Sequence, residues 1–158
     1  MNKWAKVIIA VLVCQTAGII GSIFTSPSIG TWYAELEKPF FTPPNWVFGP
    51  VWITLYTLMG ISLYLVWQKG PGKENVRNAL LAFFGQLVLN SVWSIVFFGL
   101  QSPLYGLVII VLMWFVILLT IVKFYKIDKK AGFLLIPYIL WVTAAAALNY
   151  FILILNLV

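Results

Sequence analysis

The 158-residue chain has no histidine, a single cysteine and only four acidic residues, Glu35, Glu37, Glu74 and Asp128. Each scarcity removes a class of chemistry. With one thiol, Cys14, the chain cannot build an internal disulfide framework, and without histidine it assembles neither a Cys/His metal cluster nor a histidine-ligated haem. No metal site is expected. Four scattered carboxylates supply no hydrolase triad and no paired-carboxylate site, and no phosphate-binding glycine loop is present. Charge is sparse altogether, at 9% of residues, where soluble domains carry about 25%.

What remains is apolar. Hydrophobic residues make up 63% of the chain and aromatics 17%, with a mean hydropathy of +1.02. Such a composition cannot be buried in a soluble fold of this length, so it points to one membrane domain spanning 1–158 and rules out a cytosolic enzyme, a disordered chain and a secreted scaffold. The net charge of +6 sits in short clusters between apolar runs, the pattern of loops that touch anionic lipid, and no nucleic-acid partner is expected.

A bilayer core needs about 20 apolar residues per helix. Five runs qualify, at about 5–24, 46–67, 79–100, 104–122 and 132–155, and none shows the period-2 alternation of a barrel strand. The expected fold is all-α: a polytopic bundle of five transmembrane helices with an ordered first extramembrane loop, 25–45. Nine of the ten basic residues fall on one side and Lys38 alone on the other. By the positive-inside rule this puts the N-terminus and both basic loops inside, and the first loop and C-terminus outside, in a prokaryotic cytoplasmic membrane. The first run resembles a signal peptide, but Gln15, Thr16 and Ser22 at helical spacing argue for a retained helix. Apart from Lys6 at an edge, no run holds a charged residue, so an ion-coupled transporter, proton relay or voltage sensor lacks its parts.

The loop 25–45 carries Trp32, Tyr33, Phe40 and Phe41 together with Pro27, Pro39, Pro43 and Pro44. Thr31 as N-cap with Glu35 in the first turn predicts a short helix from Trp32 to Glu37. The segment reads either as a lid over the bundle or as an aromatic belt at the headgroups. On the third run Gln86, Asn90 and Ser94 are spaced i, i+4 and i+8, which places them on one face. That stripe is either interhelical hydrogen-bond glue or the wall of a ligand cavity. Aromatic faces run along the second helix, through Trp52, Tyr56, Met59, Leu63 and Trp67, and along the fifth, through Tyr138, Trp141, Ala145, Leu148 and Asn149. Cys14, Ala17, Gly18 and Gly21 form a small-residue face suited to tight helix packing.

Three segments carry a resemblance: W-Y-A-E-L-E-K-P-F-F-T-P-P-N-W-V-F-G-P-V-W from Trp32, L-N-S-V-W-S-I-V-F-F-G around Asn90, and P-Y-I-L-W-V-T-A-A-A-A-L-N-Y from Pro137. In sequence and order they resemble the TspO/MBR family of tryptophan-rich sensory and translocator proteins, over nearly the whole chain. The resemblance implies a five-helix bundle, often a homodimer. It also implies a pocket beneath the first loop for protoporphyrin IX or a related tetrapyrrole and for isoquinoline or benzodiazepine-type molecules. Carried over by position, it makes Trp52 and Trp141 the tryptophans of porphyrin photochemistry, Asn90 a polar pocket residue, Ala145 the small residue beside the ligand, and Tyr33 and Pro44 lid positions. The expected ligand-binding set is Tyr33, Pro44, Trp52, Tyr56, Gln86, Asn90, Ser94, Trp141, Ala145 and Leu148. Cholesterol binding is not expected: Leu148-Asn149-Tyr150 is not followed by the basic residue that animal relatives carry.

These features describe a receptor or sensor for flat apolar ligands with no obligatory cofactor, and light-dependent porphyrin degradation would need no acid or base. A transporter of tetrapyrroles or lipids is the alternative. The three-residue turn at 101–103 and the lack of internal repeats argue against alternating access. In a third reading, a purely structural protein, the polar stripe is only glue.

Overall fold

A computed structural model describes residues 1–157, so the last residue of the expected domain, Val158, lies outside the described residues. The described residues form helices and no strand: α1 (Lys3–Ile29), α2 (Trp32–Glu35), α3 (Asn45–Trp67), α4 (Glu74–Ser94) continued by a π-helical turn (Ile95–Gly99), α5 (Pro103–Ile127), α6 (Lys129–Leu134) and α7 (Ile136–Leu155). Five spans, α1, α3, α4 with its π turn, α5, and α6 with α7, are long and apolar enough to cross a bilayer. Large apolar side chains such as Ile8, Leu12, Ile23, Leu81, Val88, Val108 and Phe115 face outward. The protein is an integral membrane protein.

The helices form a ring. α1 packs between α3 and α4, α5 between α4 and α7, and α6 returns to α3. Small residues set the closest approaches: a Cβ on Gly60 of α3 would lie 2.4 Å from the Val11 backbone of α1, and one on Gly132 of α6 would lie 2.7 Å from the Tyr125 Cβ of α5. Cys14 and Ala17 are buried on α1, as the small-residue face requires.

Helix ends depart from the apolar windows because polar residues continue helices beyond the hydrocarbon. α1 runs to Ile29, so the first loop begins at Gly30 rather than at 25. Pro27 lies inside this last turn, where the carbonyls stay satisfied: the Thr31 hydroxyl donates to the Pro27 carbonyl at 2.8 Å. That same bond removes Thr31 from its expected role, since its side chain does not cap α2, which ends at Glu35 rather than Glu37. α4 starts at Glu74, well ahead of 79, and α5 extends to Ile127 rather than 122. The fifth span starts at 129 and is broken at Leu135; Asp128 caps α6 by accepting from Lys130 N at 2.9 Å, and Pro137 sits in the first turn of α7.

The first loop is ordered. Asn156 at the end of α7 accepts from Glu37 N at 3.1 Å and donates to the Glu37 carbonyl at 2.9 Å. Lys38 donates to the Leu36 carbonyl at 3.0 Å, and its ammonium lies 4.7 Å above the Tyr33 ring. These contacts fold the loop over one end of the bundle.

Candidate functional site

Beneath that loop lies a cavity of about 450 Å³, within the range of small-molecule sites. Tyr33 of α2, 3% exposed, forms its roof. Phe48 and Trp52 of α3 and Trp141, Ala145, Leu148 and Ile152 of α7 form two walls, and Trp93, Ser94, Phe97 and Phe98 a third. Tyr56 is at the floor, and its ring stacks on Trp52 with centroids 5.5 Å apart. No charged side chain lines the cavity.

Its exposed lining residues, Ile19, Ser22, Ser26, Asn45, Gly49 and Ile53, all belong to the end of α1 and the start of α3. The opening therefore lies between these two helices. Glycines make the space. A Cβ on Gly18 would lie 2.5 Å from the Tyr56 ring and one on Gly21 3.0 Å from Ser94 Oγ.

The π turn builds the third wall. Its wider coil, closed by Leu100 N donating to the Ile95 carbonyl at 2.9 Å, lets the consecutive Phe97 and Phe98 both turn inward, at 2% and 8% exposure. Ser28 donates to the Phe98 carbonyl at 2.8 Å and so satisfies a backbone group loosened by the turn. Gln101 at φ 52° ends the helix, and Ser102 caps α5 by accepting from Tyr105 N at 3.2 Å.

Two polar atoms in the lining lack a hydrogen-bond partner, the Tyr33 hydroxyl and Trp141 Nε1. Buried donors without a partner are costly, about 1–3 kcal/mol each, and a ligand with acceptors would relieve them. Burial raises the Tyr33 phenol pKa, which keeps it a neutral donor. The other indole in this wall is satisfied: Trp93 Nε1 donates to Asn149 at 3.0 Å, and Asn149 donates to the Pro103 carbonyl at 2.8 Å.

Of the ten residues expected to bind ligand, Tyr33, Trp52, Tyr56, Ser94, Trp141, Ala145 and Leu148 line the cavity. Gln86 and Asn90 lie one storey below it. The Tyr56 hydroxyl donates to Asn90, Asn90 donates to the Tyr138 hydroxyl at 3.0 Å, and Tyr138 donates to Gln86 at 2.6 Å. The stripe thus divides: Ser94 faces the cavity, whereas Gln86 and Asn90 are hydrogen-bond glue at its floor. Pro44 is the exposed N-cap of α3, one residue before the lining. Phe48, Trp93, Phe98 and Gly18 line the cavity without having been singled out for it. Gly18 carried a signal in the small-residue face and Trp93 lies one turn after Asn90 on α4, but Phe98 belongs to the π turn, which sequence periodicity does not reveal.

A sequence profile described as the TspO/MBR family matches residues 10–155. The chain is 50% identical over 151 residues to the tryptophan-rich protein TspO of Archaeoglobus fulgidus, covering 96% of this chain and 97% of that one. It is 42% identical over 139 residues to protein CrtK of Rhodobacter capsulatus, covering 87% and 84%. It is 40% identical over 132 residues to the human translocator protein, covering 83% and 78%.

Proposed function

The chain belongs to the TspO/MBR family, and from that premise we propose that it is a membrane receptor for flat, largely apolar tetrapyrroles, with protoporphyrin IX as the reference ligand. The observation that carries the reading is an uncharged aromatic cavity holding two unpartnered donors, on Tyr33 and Trp141, with an opening between α1 and α3. Aromatic faces stabilise a flat ring system by burial, at about 25 cal/mol per Å², and the two donors fix its pose. With no basic residue in the lining, ligand carboxylates belong at the loop end, near Lys38 and water. In this reading Trp52 and Trp141 are the indoles that react with a photoexcited porphyrin in air, a role the family resemblance suggests.

A receptor fits better than a transporter. The Tyr56–Asn90–Tyr138–Gln86 cluster closes the cavity floor, so no path continues toward the other leaflet. The clustering of basic residues at the opposite end of the bundle supports a cytoplasmic-membrane orientation with N-terminus inside and the cavity in the outer half.

The test is a dark titration of the detergent-solubilised protein with protoporphyrin IX, followed by tryptophan fluorescence. Saturable binding is expected, weakened about three- to tenfold by Trp141→Phe as one hydrogen bond is lost. Non-saturating quenching identical in wild type, Trp141→Phe and Trp52→Phe would overturn the assignment.

A further inference from the structure

At the other end of the molecule, remote from the cavity, α4 and α5 border a hollow of about 290 Å³ lined by Asn75, Asn78, Lys123, Lys126 and Ile127. The asparagines are one turn apart on α4 and the lysines one turn apart on α5, so each helix offers a pair of side chains to the same space. No carboxylate lines it. The ion pair found among the described residues joins Lys69 to Asp128 at 3.7 Å, which leaves both lysines of the hollow without an acidic partner. Lys123 is half-buried, while Lys126, Asn75 and Asn78 are exposed, so the hollow is open to a ligand from outside the bundle.

We infer that this hollow binds a phosphate-bearing anion, the lysines supplying charge and the two carboxamides supplying N–H donors to its oxygens. The position favours the phosphodiester headgroup of an anionic lipid. The hollow lies between two spanning helices at the basic end of the bundle, where anionic headgroups meet the protein, and Ile127 offers an apolar edge to the lipid's glycerol and upper chain. The inference is independent of the cavity reading.

The experiment titrates the purified protein in uncharged micelles with dioleoylphosphatidylglycerol, dioleoylphosphatidylcholine or inorganic phosphate, and follows the thermal unfolding midpoint. Phosphatidylglycerol is expected to raise the midpoint saturably and phosphatidylcholine to leave it unchanged. Lys123→Gln/Lys126→Gln is expected to weaken the response about thirtyfold. Lys129→Gln/Lys130→Gln, which removes equal charge from the same end, should leave it intact. Should the first double variant fail to fold, Asn75→Leu/Asn78→Leu decides, because it keeps the charge and removes the donors. A response to inorganic phosphate equal to that of the lipid would keep the site but overturn the headgroup as its occupant. Equal losses in the two lysine variants, no response to either anion, or no effect of the asparagine variant would overturn the site.

Discussion

At the residue scale, neighbouring polar groups on the same helices have separate duties, and substitution distinguishes them. Asn90 bonds both Tyr56 and Tyr138 in a buried position. Asn90→Leu is therefore expected to destabilise the protein by about 1–3 kcal/mol, because two hydroxyls lose a partner, while ligand affinity changes little; thermal unfolding and titration together check this. Trp141→Phe should show the reverse, since its Nε1 has no partner to lose. Gly18→Ala would set a Cβ 2.5 Å from a Tyr56 ring whose hydroxyl is tied to Asn90, and overpacking of this kind costs about 1–3 kcal/mol. Gly30→Ala, with open space around its Cβ, is the neutral control.

Tyr33 gives a pH dependence. Its folded-state pKa is raised by burial above the ordinary 10.0, so its contribution to stability is complete below pH 10 and is lost as pH rises through the folded value. Comparing unfolding midpoints of wild type and Tyr33→Phe between neutral and strongly alkaline pH, the wild type should fall more steeply at the alkaline end.

At the scale of elements, hydrophobic windows located all five spans because lipid demands uninterrupted apolar helix. They could not mark helix ends, since a helix leaving the bilayer continues wherever its carbonyls find partners. The Thr31 hydroxyl donating to the Pro27 carbonyl is such a case at the end of α1; at the start of α6 Asp128 does the converse, accepting from backbone N–H groups. The π turn was illegible for another reason: one added residue per turn leaves composition and hydropathy unchanged while rotating Phe97 and Phe98 together into the wall. The loop, with its aromatics and prolines, was legible as ordered, but its latch was not, because Glu37 and Asn156 are 119 residues apart. Asn156→Ala is expected to release the loop, seen as faster amide exchange over residues 36–42 with the spanning helices unchanged.

At the scale of the whole molecule, the ring order of helices brings seven of the ten anticipated residues to one cavity, although they come from α2, α3, α4 and α7. Topology is directly testable because Cys14, the sole thiol, is buried and gives little background. A membrane-impermeant thiol reagent applied to intact cells should label Lys38→Cys, and should label Lys126→Cys only after permeabilisation. Labelling in the opposite pattern would invert the proposed orientation.

The sequence by itself determined that this is a five-helix membrane protein, its family, and the aromatic and small residues from which a cavity is made. Those follow from composition, run length and local spacing, which the bilayer converts directly into helices. Only the tertiary structure decided that Asn90 and Gln86 hold the floor while Trp141 and Tyr33 keep free donors, that the cavity opens between α1 and α3, and that Asn75 and Asn78 meet Lys123 and Lys126. Hydrogen-bond partners and openings depend on how helices distant in sequence rotate against one another, and no spacing along a single helix contains that angle.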